Sequence, residues 1–216
     1  DWLERYKIAE YIMGDVAIFK QPSINRKIQN IEDVERVAID LRKEWNLGFD
    51  AIESLISTLE NHGIKIGIFT ESDRFDALLV LVDKSTPVIV VNGNPKGDRQ
   101  RLNIAHELGH LILDICNSDL DIEAVALRFG AAFIFPANTA KLEFGIKRKK
   151  ISLVELHELK HKYGLSMQSL IHRAEELEII STNQSVKYLN IFMKENWKIT
   201  EPGKQYPAES QTRFEK

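Results

Sequence analysis

The chain predicts an α+β fold: a mostly helical domain with a small three-stranded sheet, followed by a helix-turn-helix-like helical segment. Three observations predict it. Apolar residues recur at helical spacing on both sides of one block, residues 64–91, where aliphatic and β-branched runs are separated by turn residues. Residues 151–180 read as two short helices around the turn Tyr163-Gly164-Leu165-Ser166. The 216 residues, 44% hydrophobic and 28% charged, suffice for a globular core.

Residues 2–13 carry Trp2, Leu3, Tyr6, Ala9, Ile12 and Met13 at helical spacing, and Gly14 ends the stretch. A Pro- and Ser-bearing linker follows at 21–30. Asp33 to Asn46 is an amphipathic helix with Val34, Val37, Ala38, Leu41 and Trp45 on one stripe, and Gly48 suits its stop. Asp50 is a candidate cap for a helix bearing Ile52, Leu55, Ile56 and Leu59, which ends at His62-Gly63. Ile64 to Phe69, Ala77 to Val82 and Pro87 to Val91 read as strands. Residues 99–115 return to helix, Asn117-Ser118-Asp119 to loop, and Asp121 to Phe135 to helix again, limited by Pro136. Ser152 and Ser166 cap the two helices of 151–180. The tail from Ser181 is polar and gives little information. The expected organisation is 1–30 for an N-terminal helix and linker, 31–145 for the main domain, 146–182 for the helix-turn-helix-like segment, and 183–216 for a C-terminal tail that is a candidate for truncation. The opening on Asp1 rather than Met suggests a fragment of a longer protein.

The pattern His-Glu-x-x-His occurs twice, at His106-Glu107-Leu108-Gly109-His110 and at His157-Glu158-Leu159-Lys160-His161. On a helix, positions i and i+4 share a face. Two imidazoles so placed can hold one zinc ion, and the glutamate can serve as general base on a metal-activated water. The first copy has apolar, uncharged flanks, so its helix is buried and its polar groups need a partner. Gly109 costs roughly 1 kcal/mol against Ala inside a helix, which makes sense if another backbone or a substrate comes close. The second copy puts Lys160 between its imidazoles, with Leu153, Leu156 and Tyr163 on its apolar stripe. It reads as a solvated helix face, where the ammonium would repel a dication.

A catalytic zinc takes three protein ligands and keeps a position open. Glu123 is the preferred third ligand, because a second helix closes the site from another side, and the small residues Ala126 and Gly130 let that helix press close. Asp114, Asp119 and Asp121 are the alternatives. Cys116 reads as a small core residue, and a single cysteine excludes an intrachain disulfide, which suits the cytoplasm. No run is long enough to cross a bilayer and no signal peptide is visible. Net charge is −3, without the basic surplus of a nucleic-acid binder.

Ile104-Ala105-His106-Glu107-Leu108-Gly109-His110, followed by Glu123 and then Phe129-Gly130-Ala131-Ala132-Phe133-Ile134-Phe135-Pro136, resembles the ImmA/IrrE family of zinc metallopeptidases. The likeness runs from about Val34 to about Ile180, with Gly130 standing where Ala is usual. It implies a zincin-like domain of the gluzincin type with His106, His110 and Glu123 as metal ligands and Glu107 as base. It also implies a substrate class, Xre/Cro-type repressors in bacterial or mobile-element stress responses. Relatives often follow an Xre-type helix-turn-helix domain, and Trp2-Leu3-Glu4-Arg5-Tyr6 resembles the link after one. DNA binding is therefore expected of such an upstream domain and not of this fragment, and nothing in the chain sets an oligomeric state.

The expected function is zinc-dependent endopeptidase, with Mn²⁺ and Fe²⁺ as other metals that suit two imidazoles and a carboxylate. Pro87 to Val91 is read as an edge strand that would pair with an extended substrate. Arg99, Arg101 and Arg128 are candidates to stabilise the oxyanion, with surface salt bridging as their ordinary role. The rival is a metal-containing regulatory module, a transcriptional regulator or antitoxin-like partner with weak or no protease activity. Against DNA reading, the second helix of 151–180 sets Gln168, His172 and Arg173 beside Glu175, Glu176 and Glu178.

Overall fold

The computed structural model describes residues 2–14, 16–70, 75–94 and 96–211. Helix α1 (Trp2–Met13) leads to a two-residue strand β1 (Lys27–Ile28), then α2 (Asp33–Glu44) and α3 (Leu55–Asn61). Strands β2 (Lys65–Phe69), β3 (Ala77–Val82) and β4 (Thr86–Asn92) make the sheet. Next come α4 (Gly97–Ile112), β5 (Asp114–Ile115) and α5 (Ile122–Ile134), then α6 (Ala137–Phe144), α7 (Leu153–Tyr163), α8 (Met167–Glu176) and α9 (Thr182–Lys194). The α+β class read from the pattern is the class observed.

The strand order is β2-β4-β3, with β4 parallel to β2 and antiparallel to β3. Strand β4 is therefore central, and the expectation of an edge strand at Pro87 to Val91 is corrected. Its burial explains the placement: Val88, Ile89 and Val91 are all in the core, as a strand covered on both faces requires. The edge strands are β2 and β3, and on β3 Leu78, Val80 and Leu81 are exposed. A separate parallel pair, β1 with β5, closes the chain just after α4.

Helices α4 and α5 cross at closest range through two glycines. A Cβ on Gly109 would lie 3.1 Å from Ala126 Cα, and one on Gly130 would lie 2.9 Å from the His106 backbone nitrogen. Each glycine thus admits the backbone of the other helix. The core these helices share includes Ile104, Ala105, Leu108 and Ile112 from α4 and Val125, Phe129, Ala132 and Phe133 from α5.

Several local expectations change. Ser54, not Asp50, caps α3, its hydroxyl accepting from the Ser57 N–H; Asp50 instead offers its carbonyl to buried Arg42. Pro136 ends α5 but also stands at the N-terminal boundary of α6, a helix absent from the sequence reading. Cys116 is exposed rather than a core residue: its backbone N–H extends the pairing to Ile28, which turns the side chain out. Leu153 is also exposed, while Leu156 and Tyr163 are buried as expected.

The C-terminal residues depart furthest from the sequence reading. Ser181 caps α9 with a full capping box, and the chain then runs back across the molecule. Glu201 accepts from the N–H groups of Met167 and Gln168 at the start of α8. Glu209 accepts from the N–H groups of Leu55 and Ile56 at the start of α3. Each carboxylate lies where a helix dipole and unpaired N–H groups favour negative charge. The tail is a strap.

Candidate metal centre

Helix α4 brings His106 and His110 to one face one turn apart, and Asp121 starts α5 by accepting from the N–H groups of Glu123 and Ala124. That cap fixes Glu123 in the first turn of α5, opposite the imidazoles. The Nε2 atoms of His106 and His110 are 3.0 Å apart. Glu123 places Oε2 at 3.0 Å from His106 Nε2 and Oε1 at 3.4 Å from His110 Nε2. Among the described residues this is the single cluster of three or more His, Cys, Asp or Glu groups whose ligand atoms lie within 4.8 Å of one another.

The donor set suits zinc. Ligand bonds of about 2.0–2.2 Å in a tetrahedral arrangement put neighbouring donor atoms roughly 3.3 Å apart, close to the three separations observed. The imidazoles are half-buried, while the Glu123 side chain is 73% exposed, so the third side of the cluster faces solvent. Glu107, next to His106, is only 9% exposed.

The other candidate ligands lie outside this cluster. Asp121 is the α5 cap, Asp114 pairs in β5 with Lys27, and Asp119 lies in the exposed loop before the cap. Of the three arginines considered for the oxyanion, Arg99 is on the surface, paired with Asp76 at 2.7 Å. Arg128 reaches Glu35 at 3.4 Å. Arg101 is no surface group: it is fully buried, bonded to the Glu209 carboxylate and at 2.9 Å to the Ile52 carbonyl. All three are committed to internal or surface pairs.

The second His-Glu-x-x-His lies on α7 and is not the solvated face expected of it. Lys160 is completely buried, its ammonium 2.7 Å from both Asp98 and Glu201. The strap covers the imidazoles. His161 Nε2 is 3.0 Å from the Lys204 carbonyl, and Gly203, at positive φ, presses so close that a Cβ there would lie 2.6 Å from His157 Cε1. A buried ammonium beside the two rings and a strap over them leave no coordination space. Sequence reasoning missed Asp98 and Glu201 as its partners.

In the helix-turn-helix-like segment, Arg173 of α8 is fully buried and donates to Glu35 at 2.6 and 2.5 Å and to the Phe135 carbonyl at 3.1 Å. The basic residue that a DNA-reading helix would present is spent on packing. No described helix is long and apolar enough to cross a membrane.

Comparison with known proteins places these elements. No curated protein matches the chain. Among solved structures, a chain described as a Mycobacterium tuberculosis transcriptional regulator is similar at 16% identity and a TM-score of 0.48, covering 67% of this chain. The chain spans just under half of that one, 46% of its length. The family model of the IrrE N-terminal-like domain, Peptidase_M78, matches residues 59–175, which is over half of the chain and takes in β2 to β4, α4, α5 and the whole His106–His110–Glu123 cluster; the chain belongs to this family.

Proposed function

We propose that the chain is a zinc-dependent endopeptidase in which His106, His110 and Glu123 hold the metal and Glu107 is the general base. The observation that carries this reading is the convergence of two Nε2 atoms and a carboxylate, with a second, buried carboxylate one residue from the first imidazole. Zinc bound there supplies Lewis acidity, polarising a scissile carbonyl and acidifying water toward neutral pH. Glu107 takes the proton of the attacking water and delivers it to the leaving amine. The free edge of β3, rather than β4, is where an extended substrate segment would add as a strand.

Family membership and the intact Glu107 support peptidase chemistry over a purely regulatory module, which has no use for the base. The substrate we propose is a transcriptional repressor of the Xre/Cro type, cut in the cytoplasm during a bacterial or mobile-element stress response. In the same reading residues 31–145 form the peptidase core, and 146–182 pack on it through Arg173 as a structural segment.

Zinc content and affinity of the wild type beside His110→Ala, Glu123→Ala and His161→Ala test the centre. Loss in the first two and retention in the third is expected. Glu107→Gln should keep zinc and lose proteolysis. Metal loss in His161→Ala, or a wild type without zinc at micromolar concentrations, would overturn the reading.

A further inference from the structure

Helix α4 carries one polar residue on the His106–Glu107–His110 face that the proposed chemistry leaves unused. Asn103 stands one turn before His106 and Glu107 and two turns before His110, so by helical spacing it lies in the middle of that stripe. Its side chain is half-buried, and its Nδ2 is shut away from solvent without a hydrogen-bond partner among the described residues. Buried amide groups are normally paired, and an orphaned one marks a site where strain is kept for a purpose or a partner arrives later. The candidate partner is adjacent. Glu107 is also buried, and in this structure the Asn103 amide does not yet reach it, having no partner. An unspent donor thus lies at i and a buried carboxylate at i+4, the spacing at which helical side chains come within reach.

We infer that Asn103 is a positioning residue for Glu107: in the zinc-loaded protein its Nδ2–H donates to one Glu107 carboxylate oxygen and leaves the other turned toward water and substrate. This rests on the reading of Glu107 as the base. The pairing explains why an amide stands at a position whose neighbours in the core are aliphatic. One bond from a neutral donor would fix the rotamer of the carboxylate without placing a positive charge beside the base. A lysine or arginine at the same position would hold the carboxylate too, but would also weaken it as a proton acceptor.

The test uses the full chain loaded with zinc and compares wild type with Asn103→Ala and the near-isosteric Asn103→Asp. On a quenched-fluorescent peptide that the wild type cuts, Asn103→Ala should lower kcat about tenfold, the worth of one lost charge-assisted hydrogen bond. KM and zinc affinity should stay within about twofold, since neither substrate nor metal contacts the amide, and Asn103→Asp should lose more through repulsion. A structural role alone would instead move KM, zinc affinity and unfolding together. A second readout needs no activity. In zinc-loaded wild type, Asn103→Ala, Glu107→Gln and the double variant, the urea midpoint of the double should fall by less than the sum of the two single shifts. A kcat unchanged by Asn103→Ala, or additive midpoints, overturns the inference. A wild type that binds zinc and cuts nothing overturns the proposed function instead, and the midpoints still decide whether Asn103 and Glu107 pair.

Discussion

Lys160 Nζ lies 2.7 Å from Asp98 Oδ2, and both side chains are buried. Lys160 comes from the second His-Glu-x-x-His and Asp98 from the first turn of the helix that carries the first copy. The lysine that disqualifies the second motif as a metal site therefore anchors the helix that holds the first. Burial works against its charge, yet hydrogen bonds from Lys160 to Asp98 and Glu201 hold its pKa above the ordinary lysine value. Three elements meet there: α4, α7 and the strap.

Replacing Lys160 by Met tests that anchor. The substitution leaves two carboxylates buried and facing each other without a cation. Breaking a buried ion pair from one side costs about 3–5 kcal/mol. Urea unfolding of Lys160→Met should show a loss of that size, with α4 loosened at its N-terminal end. A triple replacement that also makes Asp98 and Glu201 apolar should recover only part of it, because it removes the stranded charges but also the carboxylate that accepts from the first N–H groups of α8.

The Arg173–Glu35–Glu176 cluster predicts opposite responses from its two carboxylates. Burial pushes the Glu35 carboxyl up, but its hydrogen bonds and charge attraction with Arg173, and then Arg128, outweigh that and hold it below the usual range. A lowered folded pKa contributes stability above the unfolded carboxylate pKa, lost as pH falls through the folded value. Glu35→Gln should cost about 3 kcal/mol at neutral pH, with the gap to wild type closing in acid. For Glu176, burial pushes the carboxyl up and the arginines offset only part of it. A raised pKa means that stability is fully present below the unfolded value and is lost as pH rises through the folded one. Glu176→Gln should therefore raise the urea midpoint at neutral pH, and the gain should vanish in acid.

What the sequence made legible is what short-range geometry encodes. His106, Glu107 and His110 share a face because helices repeat, and Gly109 and Gly130 announce a close crossing because nothing else explains a glycine inside an apolar helix. The strand order was not legible: β4 is last in sequence but inserts between its two predecessors, which a linear reading cannot reveal. Pro136 reads as a stop in sequence, although a fixed φ suits the start of the next helix equally well. The strap was the least legible of all. Glu201 and Glu209 are ordinary surface-type residues in a polar tail, and their partners stand at Met167, Leu55 and Ile56, far away along the chain. Lys160 looked solvated because the carboxylates that neutralise it come from those distant segments.

Glu209 joins the start of α3 to the buried Arg101, so Glu209→Ala removes a helix cap and strands a guanidinium in one step. The expected loss is about 3–5 kcal/mol by urea unfolding. Glu209→Gln should be milder, since its amide oxygen still accepts from the α3 N–H groups while the charge for Arg101 is gone. Limited trypsin digestion followed by mass spectrometry should show early cleavage after Lys204 in both variants, with Glu209→Ala cut faster. Equal protection of Lys204 in wild type and Glu209→Ala would mean that the strap does not depend on this carboxylate.

Gly130→Ala makes the last and most direct link between packing and the candidate centre. The substitution adds a single methyl group and would look conservative. Here the added Cβ would lie 2.9 Å from the His106 backbone nitrogen and 3.0 Å from the Ala105 carbonyl carbon, and neither atom can yield without moving α4. Helix α5 must then step back, which carries Glu123 away from His106 and His110. Overpacking of this kind costs about 1–3 kcal/mol. The thermal midpoint should fall accordingly, and zinc affinity in a competition titration should fall with it, because the same displacement opens the cluster. Gly109→Ala, with its Cβ at 3.1 Å from Ala126 Cα and carbonyl oxygen, should act in the same direction from the opposite helix. If Gly130→Ala lowered stability but left zinc affinity intact, Glu123 would have to follow the imidazoles through its own rotamers, and the helix crossing would serve the core alone.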